Sequence, residues 1–124
     1  MKNDMKKTIL IVEDNASILE MIQLFLEEEG YSVLTSSEGL GVMDIVKKKN
    51  PDLILLDIWI PGLDGIEVAK NLKKNIETKD IPIVMVSAHP SAGKMAAQAG
   101  ANELLPKPFN LVDLLSVIEK FIKA

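Results

Sequence analysis

Residues 51–57 read PDLILLD, a short segment in which every position from 53 to 56 is aliphatic. A strand with one face in water would alternate apolar and polar residues instead. A continuous apolar run is typical of a parallel sheet whose two faces are both covered by helices. The segment therefore predicts a central strand of an α/β fold.

Similar short runs rich in β-branched residues recur along the chain, with helical patterns between them. The predicted strands cover residues 8–12, 32–35, 53–56, 83–86 and 103–105. The predicted helices cover residues 16–29, 40–49, 65–75, 91–99 and 111–122. This alternation predicts five βα units and a doubly wound parallel sheet with helices on both faces. We expect the flavodoxin-like strand order 2-1-3-4-5.

Local signals refine three of the helices. Gly30 is placed to end the first helix and Asn110 to cap the last one. The apolar stripe predicted for the last helix is Leu111, Leu115, Ile118 and Ile122. The fourth helix carries Gly93 and four alanines. Because these residues offer little area to bury, we expect this helix to be mobile.

Length and composition limit the kind of protein. A chain of 124 residues fits one domain, which we assign to residues 8–124 after a short tail at 1–7. The net charge of −4 provides no basic face, so we expect no direct contact with nucleic acid. The absence of cysteine and the single His89 exclude thiolate chemistry and His-cluster metal sites. The apolar run at 9–12 is too short for a leader or membrane span, which predicts a cytoplasmic protein without a membrane partner.

Polar residues follow four of the predicted strands at their carboxyl ends. Glu13 and Asp14 follow the first strand, Asp57 the third, Ser87 the fourth and Lys107 the fifth. These ends meet at the edge of a doubly wound sheet where ligands bind. Three carboxylates at one edge repel one another and require a cation, for which Mg²⁺ with its oxygen ligands is suited.

The same residues suggest a phosphoryl transfer reaction. Once its charge is screened, Asp57 can attack a phosphoryl donor to form an acyl phosphate. Lys107 and the Ser87 hydroxyl can then bind the phosphoryl oxygens. Each residue alone has a plainer explanation, since an Asp after a strand is usually a turn or cap residue and residues 13–15 could cap the first helix. The hypothesis rests on the convergence of all of them at one edge.

Four segments resemble the bacterial two-component response regulator receiver domain, and the resemblance covers nearly the whole chain. They are ILIVEDN (9–15), PDLILLDIWIPGLDG (51–65), IPIVMVSA (81–88) and AGANELLPKPF (99–109). The resemblance implies that Asp57 is phosphorylated. It also implies that Glu13, Asp14 and Asp57 bind Mg²⁺ together with the backbone carbonyl of Trp59.

The resemblance assigns further roles at the closing strand. Ser87 would be the switch hydroxyl and Lys107 the phosphate-binding lysine, with a cis peptide bond between Lys107 and Pro108. Two positions depart from the family pattern. Leu104 stands where the family usually carries a switching Tyr or Phe, and Pro106 precedes the lysine.

The function implied by the resemblance is that of a phosphoacceptor domain in a two-component system or phosphorelay. A sensor histidine kinase or a histidine phosphotransfer protein would supply the phosphoryl group, and phosphorylation would change the affinity for a downstream protein. Such a domain is not an enzyme, although it would catalyse its own slow dephosphorylation. Trp59 and His89 would border the path of the attacking water.

Other classes of protein share parts of this pattern. A haloacid dehalogenase phosphatase carries a second Asp two residues after its nucleophile, where this chain has Trp59. A flavodoxin binds phosphate through Ser, Thr and Gly in its first loop, where Glu13 and Asp14 would repel it. A phosphorylation-independent interaction module on the same fold remains an alternative.

Overall fold

The computed structural model describes residues 6–37, 41–60 and 63–124. Along the chain the elements are β1 (Thr8–Val12), α1 (Ala16–Glu28), β2 (Ser32–Ser36), α2 (Val42–Lys49), β3 (Leu53–Asp57), β4 (Trp59–Ile60), β5 (Leu63–Asp64), α3 (Gly65–Lys74), β6 (Ile83–Ser87), α4 (Ala92–Ala99), β7 (Glu103–Pro106) and α5 (Leu111–Glu119). Outside the described residues lie most of the N-terminal tail, the first residue of the predicted second helix, and residues 61–62 of the segment 51–65 that carries part of the resemblance.

Five of the strands form one parallel sheet in the order β2-β1-β3-β6-β7. All four strand pairs are parallel, and the carboxyl end of β3 pairs Asp57 with Val86 of β6. Counted over these five strands, the arrangement confirms the predicted order 2-1-3-4-5. β4 and β5 form a separate two-stranded antiparallel ladder that the sequence did not predict.

Helices cover both faces of the sheet, as predicted, because successive strand residues point to opposite sides. Ile54 and Leu56 of β3 join a core formed with α2, α3 and α4. Leu53 and Leu55 join a second core formed with α1 and α5. All five residues of β3 are buried, which explains why this strand shows no alternation in sequence.

The last helix differs from its prediction in its length and in the set of residues that it buries. α5 begins after Asn110, whose side-chain oxygen accepts from the Asp113 N–H at 2.8 Å, and this confirms the predicted cap. The helix ends at Glu119 instead of residue 122. The predicted stripe was incomplete. Ile118 is fully buried, and Leu111, Leu115 and Ile122 are half-buried against the same core. The stripe omitted Leu114 and Val117, which are also buried.

α4 packs against the rest of the domain through small side chains. Ala92, Ala96 and Ala99 are all buried, because a helix with small side chains can approach the sheet and α3 closely. A Cβ built on Gly93 would lie 3.9 Å from the side chain of Leu104. The buried residues of α4 are thus small, as the sequence indicated, and the mobility of the helix remains a prediction.

Candidate functional site

The predicted carboxylates meet at the carboxyl edge of the sheet. Asp57 is the last residue of β3, and Glu13 follows β1 directly, where its backbone N–H donates to the Ser36 carbonyl at 3.0 Å. Carboxylate oxygens of Glu13, Asp14 and Asp57 lie within 4.8 Å of one another. Glu13 and Asp57 are buried, whereas Asp14 is exposed. The structure thus brings together the three residues that the sequence predicted.

Lys107 lies at the same cluster, held there by the end of β7. Its backbone N–H donates to the Ser87 carbonyl at 2.9 Å, which continues the pairing of β6 with β7 by one residue. Its ammonium contacts Asp57 Oδ2 at 3.0 Å and Glu13 Oε1 at 3.2 Å. The peptide bond to Pro108 is cis, as the resemblance implied.

The charges at the cluster are unbalanced. Burial raises the pKa of Glu13, and the charge of Asp57 adds to this effect, although the Asn15 N–H and Lys107 oppose it. Burial alone would lower the pKa of Lys107, but its contacts with Asp57 and Glu13 raise it overall. Among the described side chains, three carboxylates against one ammonium leave an excess of two negative charges. A hard divalent cation with oxygen ligands fits this donor set.

Backbone N–H groups hold the two buried carboxylates in place. The N–H of Trp59 donates to Asp57 Oδ1 at 3.1 Å, and the N–H of Asn15 donates to Glu13 Oε2 at 3.1 Å. The Asn15 side chain also caps α1, with Oδ1 accepting from the Ile18 N–H at 3.0 Å. The capping role that the sequence offered for residues 13–15 therefore belongs to Asn15, which leaves the two acids available to the cluster.

Ser87 ends β6 on the opposite side of Asp57 from β1. Its side chain is buried, and Oγ accepts a hydrogen bond from the His89 N–H at 3.0 Å. The His89 ring is held in turn, because Nδ1 accepts from the Ser91 N–H at 3.0 Å. The rings of Trp59 and His89 lie 5.8 Å apart, centre to centre, at 45°. Trp59 is 56% exposed. Backbone hydrogen bonds attach Trp59 to Asp57 and His89 to Ser87, and we call this pair of residues the aromatic rim.

Sequence reasoning missed the role of Gly65. A Cβ at this position would lie 3.1 Å from both Cα and the carbonyl oxygen of Ile58, closer than ordinary packing permits. The start of α3 therefore rests directly on the backbone that follows Asp57. Asp64 precedes it as the N-cap, accepting from the Glu67 N–H at 3.1 Å. The sequence signal for this arrangement was the Asp64-Gly65 pair at the start of the apolar pattern of α3.

Comparison with known families agrees with this geometry. The sequence model described as response regulator receiver domain matches residues 9–119. The chain belongs to this family. Receiver domains act in two-component systems, where they interact with histidine kinases and downstream effectors and bind Mg²⁺ in an acidic pocket. They do not form a family of enzymes.

Curated relatives of this receiver domain are longer proteins. The phosphate regulon transcriptional regulatory protein PhoB of Pseudomonas aeruginosa is 38% identical over 119 residues, which cover 94% of this chain and 52% of that protein. The response regulator MprA of Mycobacterium bovis is 34% identical over 121 residues, which cover 96% of this chain and 52% of that protein. The chain thus spans about half the length of the curated relatives it matches.

Solved structures of receiver domains superimpose closely on this one. The chemotaxis protein CheY4 of Vibrio cholerae has a TM-score of 0.87 at 28% identity, covering 94% of this chain and 99% of that one. A CheY-like receiver domain protein from Methanospirillum hungatei has a TM-score of 0.85 at 29% identity, covering 93% and 92%. Across residues 6–37, 41–60 and 63–124, this receiver domain has no helix with the length and apolarity needed to span a membrane.

Proposed function

We propose that residues 8–124 form a receiver domain that accepts a phosphoryl group on Asp57 in a Mg²⁺-dependent reaction. The observation that carries the proposal is the set of contacts around this carboxylate. One oxygen accepts the Trp59 N–H at 3.1 Å, and the other accepts from the Lys107 ammonium at 3.0 Å. Asp57 is thereby oriented and partly neutralised at the edge of the sheet where ligands of this fold bind.

The metal would be held by Glu13, Asp14 and Asp57, together with the backbone carbonyl of Trp59. When bound, Mg²⁺ screens the carboxylates and supplies positive charge for phosphoryl oxygens. The chain contributes the rest of the site. Glu13 and Asp57 are held by backbone N–H groups and by Lys107, so few side-chain rotations remain to be fixed before the reaction.

The donor is a phosphohistidine of a sensor histidine kinase or a histidine phosphotransfer protein. A carboxylate oxygen of Asp57 attacks phosphorus, so that a P–O bond forms and the P–N bond to the donor histidine breaks. The electron pair of that bond stays on the imidazole. The Lys107 ammonium lies close enough to follow the negative charge onto the phosphoryl group, and the Ser87 hydroxyl can turn from the His89 N–H and donate to a phosphoryl oxygen.

Slow self-catalysed loss of the phosphoryl group is part of the same proposal. Water must approach the aspartyl phosphate from the open side of the site, where Trp59 and His89 lie. The centres of the two rings lie 5.8 Å apart. In this proposal the rings cover part of the approach. Bulk at this rim limits the entry of water and lengthens the lifetime of the phosphorylated state. The message passes to a downstream protein in the cytoplasm, with no direct role for nucleic acid.

Phosphorylation can be tested with acetyl phosphate and Mg²⁺, followed by intact-mass measurement. The wild type should gain the mass of one phosphoryl group, and Asp57→Asn should gain none. Asp44→Asn removes an exposed carboxylate from the first turn of α2 and should behave as the wild type. A wild type that never gains this mass, with or without Mg²⁺, would leave only the phosphorylation-independent interaction module.

A further inference from the structure

The segment from Glu13 to Asn15 carries the chain from the end of β1 into the start of α1. β1 ends at Val12 and α1 begins at Ala16, so these three residues make the whole connection. Two of them supply carboxylates to the acidic cluster, and the third caps the helix. Because the connection is so short, the placement of the carboxylates depends on how the chain enters the helix.

Asn15 is fixed to the first turn of α1 by two hydrogen bonds. Its side-chain Oδ1 accepts from the Ile18 N–H at 3.0 Å, and its carbonyl accepts from the Leu19 N–H at 2.9 Å. Its backbone is extended, with φ −81° and ψ 110°, as is usual for an N-cap residue. The cap thereby sets the direction of the peptide group between Asp14 and Asn15.

That peptide group contacts the acidic cluster directly. Its N–H donates to Glu13 Oε2 at 3.1 Å, while the other oxygen of the same carboxylate accepts from the Lys107 ammonium at 3.2 Å. Glu13 is buried, so water does not readily replace a contact that is lost. One of the two contacts that orient the Glu13 carboxylate is therefore held in place by the cap of α1.

Asp14 depends on the same turn in a different way. Its side chain is exposed, yet a carboxylate oxygen lies within 4.8 Å of those of Glu13 and Asp57. Within the part of the chain that the structure describes, no hydrogen bond holds this side chain. Its approach to the cluster is set by the backbone on either side. The Glu13 N–H is bound to the Ser36 carbonyl at 3.0 Å, and the cap residue Asn15 follows.

We propose that Asn15 is a positioning residue for the metal site, because its cap on α1 holds the carboxylates of Glu13 and Asp14 in the arrangement that binds Mg²⁺. The inference rests on the Mg²⁺-dependent function proposed above. Without the side-chain cap, the peptide group before Asn15 can rotate, and the two carboxylates sample more orientations. Metal binding then has to order them, which weakens the affinity.

Calorimetric titration with Mg²⁺ tests the role of Asn15. Asn15→Ala removes the capping oxygen but keeps the backbone N–H, and its affinity should fall by about threefold to tenfold, the effect of ordering one more side chain. Asn15→Ser restores a capping oxygen, so its affinity should lie within about twofold of the wild type. Asn75→Ala removes a comparable acceptor, which takes the Glu77 N–H at 2.9 Å in the loop before β6, and should leave the affinity unchanged.

The dependence of phosphorylation on Mg²⁺ separates positioning from a general loss of structure. With acetyl phosphate at saturating Mg²⁺, Asn15→Ala should gain the phosphoryl mass at the wild-type rate. The Mg²⁺ concentration that gives half of this rate should be about threefold to tenfold higher. A lost cap costs only about 1 kcal/mol of stability, so circular dichroism should show a folded variant.

The possible failures are distinguishable. Equal Mg²⁺ affinities of the wild type, Asn15→Ala and Asn15→Ser overturn the positioning role and leave Mg²⁺ binding standing. An Asn15→Ser variant as weak as Asn15→Ala overturns the cap as the cause. A wild type that neither binds Mg²⁺ nor gains the phosphoryl mass overturns the proposed function and the positioning role together.

Discussion

Lys107 and Asp57 are separated by 50 positions in the chain, yet the ammonium of one lies 3.0 Å from a carboxylate oxygen of the other. Glu13 shares the same ammonium at 3.2 Å. Lys107 therefore acts as an internal counter-ion for two buried carboxylates. A metal ion at the acidic cluster and a phosphoryl group on Asp57 would each change what this lysine contacts.

Replacement of Lys107 by Met should strengthen Mg²⁺ binding. The substitution removes the one cation that contacts the acidic cluster among the described residues, and the metal no longer has to share the carboxylates with it. The expected gain is about 1 kcal/mol, or roughly fivefold in affinity, since the site is only partly shielded from water. Calorimetric titration measures it, with Lys107→Arg as the charge-preserving control. An unchanged or weaker affinity for Lys107→Met would show that Lys107 does not compete with the metal.

Replacement of Asp14 by Asn should raise stability without Mg²⁺ and reduce the stabilisation by Mg²⁺. The exposed carboxylate of Asp14 repels Glu13 and Asp57. Its loss removes this repulsion and should raise the free energy of unfolding of the metal-free protein by about 0.5–1 kcal/mol. Mg²⁺ bound to the folded state stabilises it by an amount that grows with the logarithm of the ratio of the Mg²⁺ concentration to Kd. Loss of a carboxylate that binds the metal raises Kd, so the stabilisation becomes smaller.

Thermal unfolding with and without Mg²⁺ tests the effect of Asp14. Glu28→Gln removes an exposed charge at the far end of α1 and provides the matched control. The control should show the full stabilisation by Mg²⁺. If Asp14→Asn shows the same stabilisation as Glu28→Gln, Asp14 is not a metal ligand.

Replacement of Trp59 by Ser should shorten the lifetime of the phosphorylated state. Water gains access where the indole covered the site, and the rate of phosphoryl loss should rise by about three- to tenfold, equivalent to roughly 1 kcal/mol in the barrier. Intact mass followed over time after removal of acetyl phosphate gives the rate. Ile76→Ser removes another large apolar side chain, 81% exposed, from a loop away from the site. Equal half-lives for the two variants would contradict the role of Trp59.

Two glycine substitutions should change stability in opposite directions. Gly65→Ala places a methyl group 3.1 Å from the backbone of Ile58, which should lower the free energy of unfolding by about 1–3 kcal/mol. Gly93→Ala places one 3.9 Å from Leu104, an ordinary contact, and should raise it by about 0.5–1 kcal/mol through helix propensity. Urea unfolding measures both. Equal effects of the two substitutions would mean that the start of α3 can move away from Ile58.

Tyr31 should make the domain less stable at alkaline pH. Burial raises the pKa of its phenol above the usual 10.0, and the charge of Glu119 adds to the shift. Between pH 10 and that raised pKa, the folded state retains a proton that the unfolded state has released. The free energy of unfolding therefore falls as pH rises through this window.

The contribution of Tyr31 is isolated by comparison with Tyr31→Phe. Other groups titrate in the same range, but they are common to both proteins. Urea unfolding at neutral pH and above pH 10 should show a steeper loss of stability in the wild type than in the variant. Parallel losses would assign the alkaline sensitivity to other residues.

Most of the fold was predictable because its buried strands are continuous aliphatic runs in the sequence. The aliphatic runs of β1, β3 and β6 are buried on both faces, so each run marks a strand without further information. The carboxyl ends of parallel strands meet at one edge of the sheet, so the strand positions then predicted that Glu13, Asp57 and Lys107 lie together. The antiparallel ladder of β4 and β5 was missed, because strands of two residues are too short to show any periodicity.

The finer geometry of the site depends on contacts that sequence spacing does not encode. The hydrogen bond from His89 to Ser87 requires a particular loop path, and the Trp59–His89 contact joins residues from two different loops. The buried face of α5 was predicted incompletely for a similar reason. A helix with many aliphatic residues offers several possible stripes, and the packing of Leu114 and Val117 against the sheet selects one of them.

The three buried alanines of α4 set a low energetic threshold for its displacement. A buried methyl group contributes on the order of 0.8 kcal/mol, so Ala92, Ala96 and Ala99 together contribute only a few kcal/mol to the packing of the helix. A charge-assisted contact to a phosphoryl group is of similar size. The proposed phosphorylation of Asp57 would therefore supply free energy comparable to what these three alanines contribute.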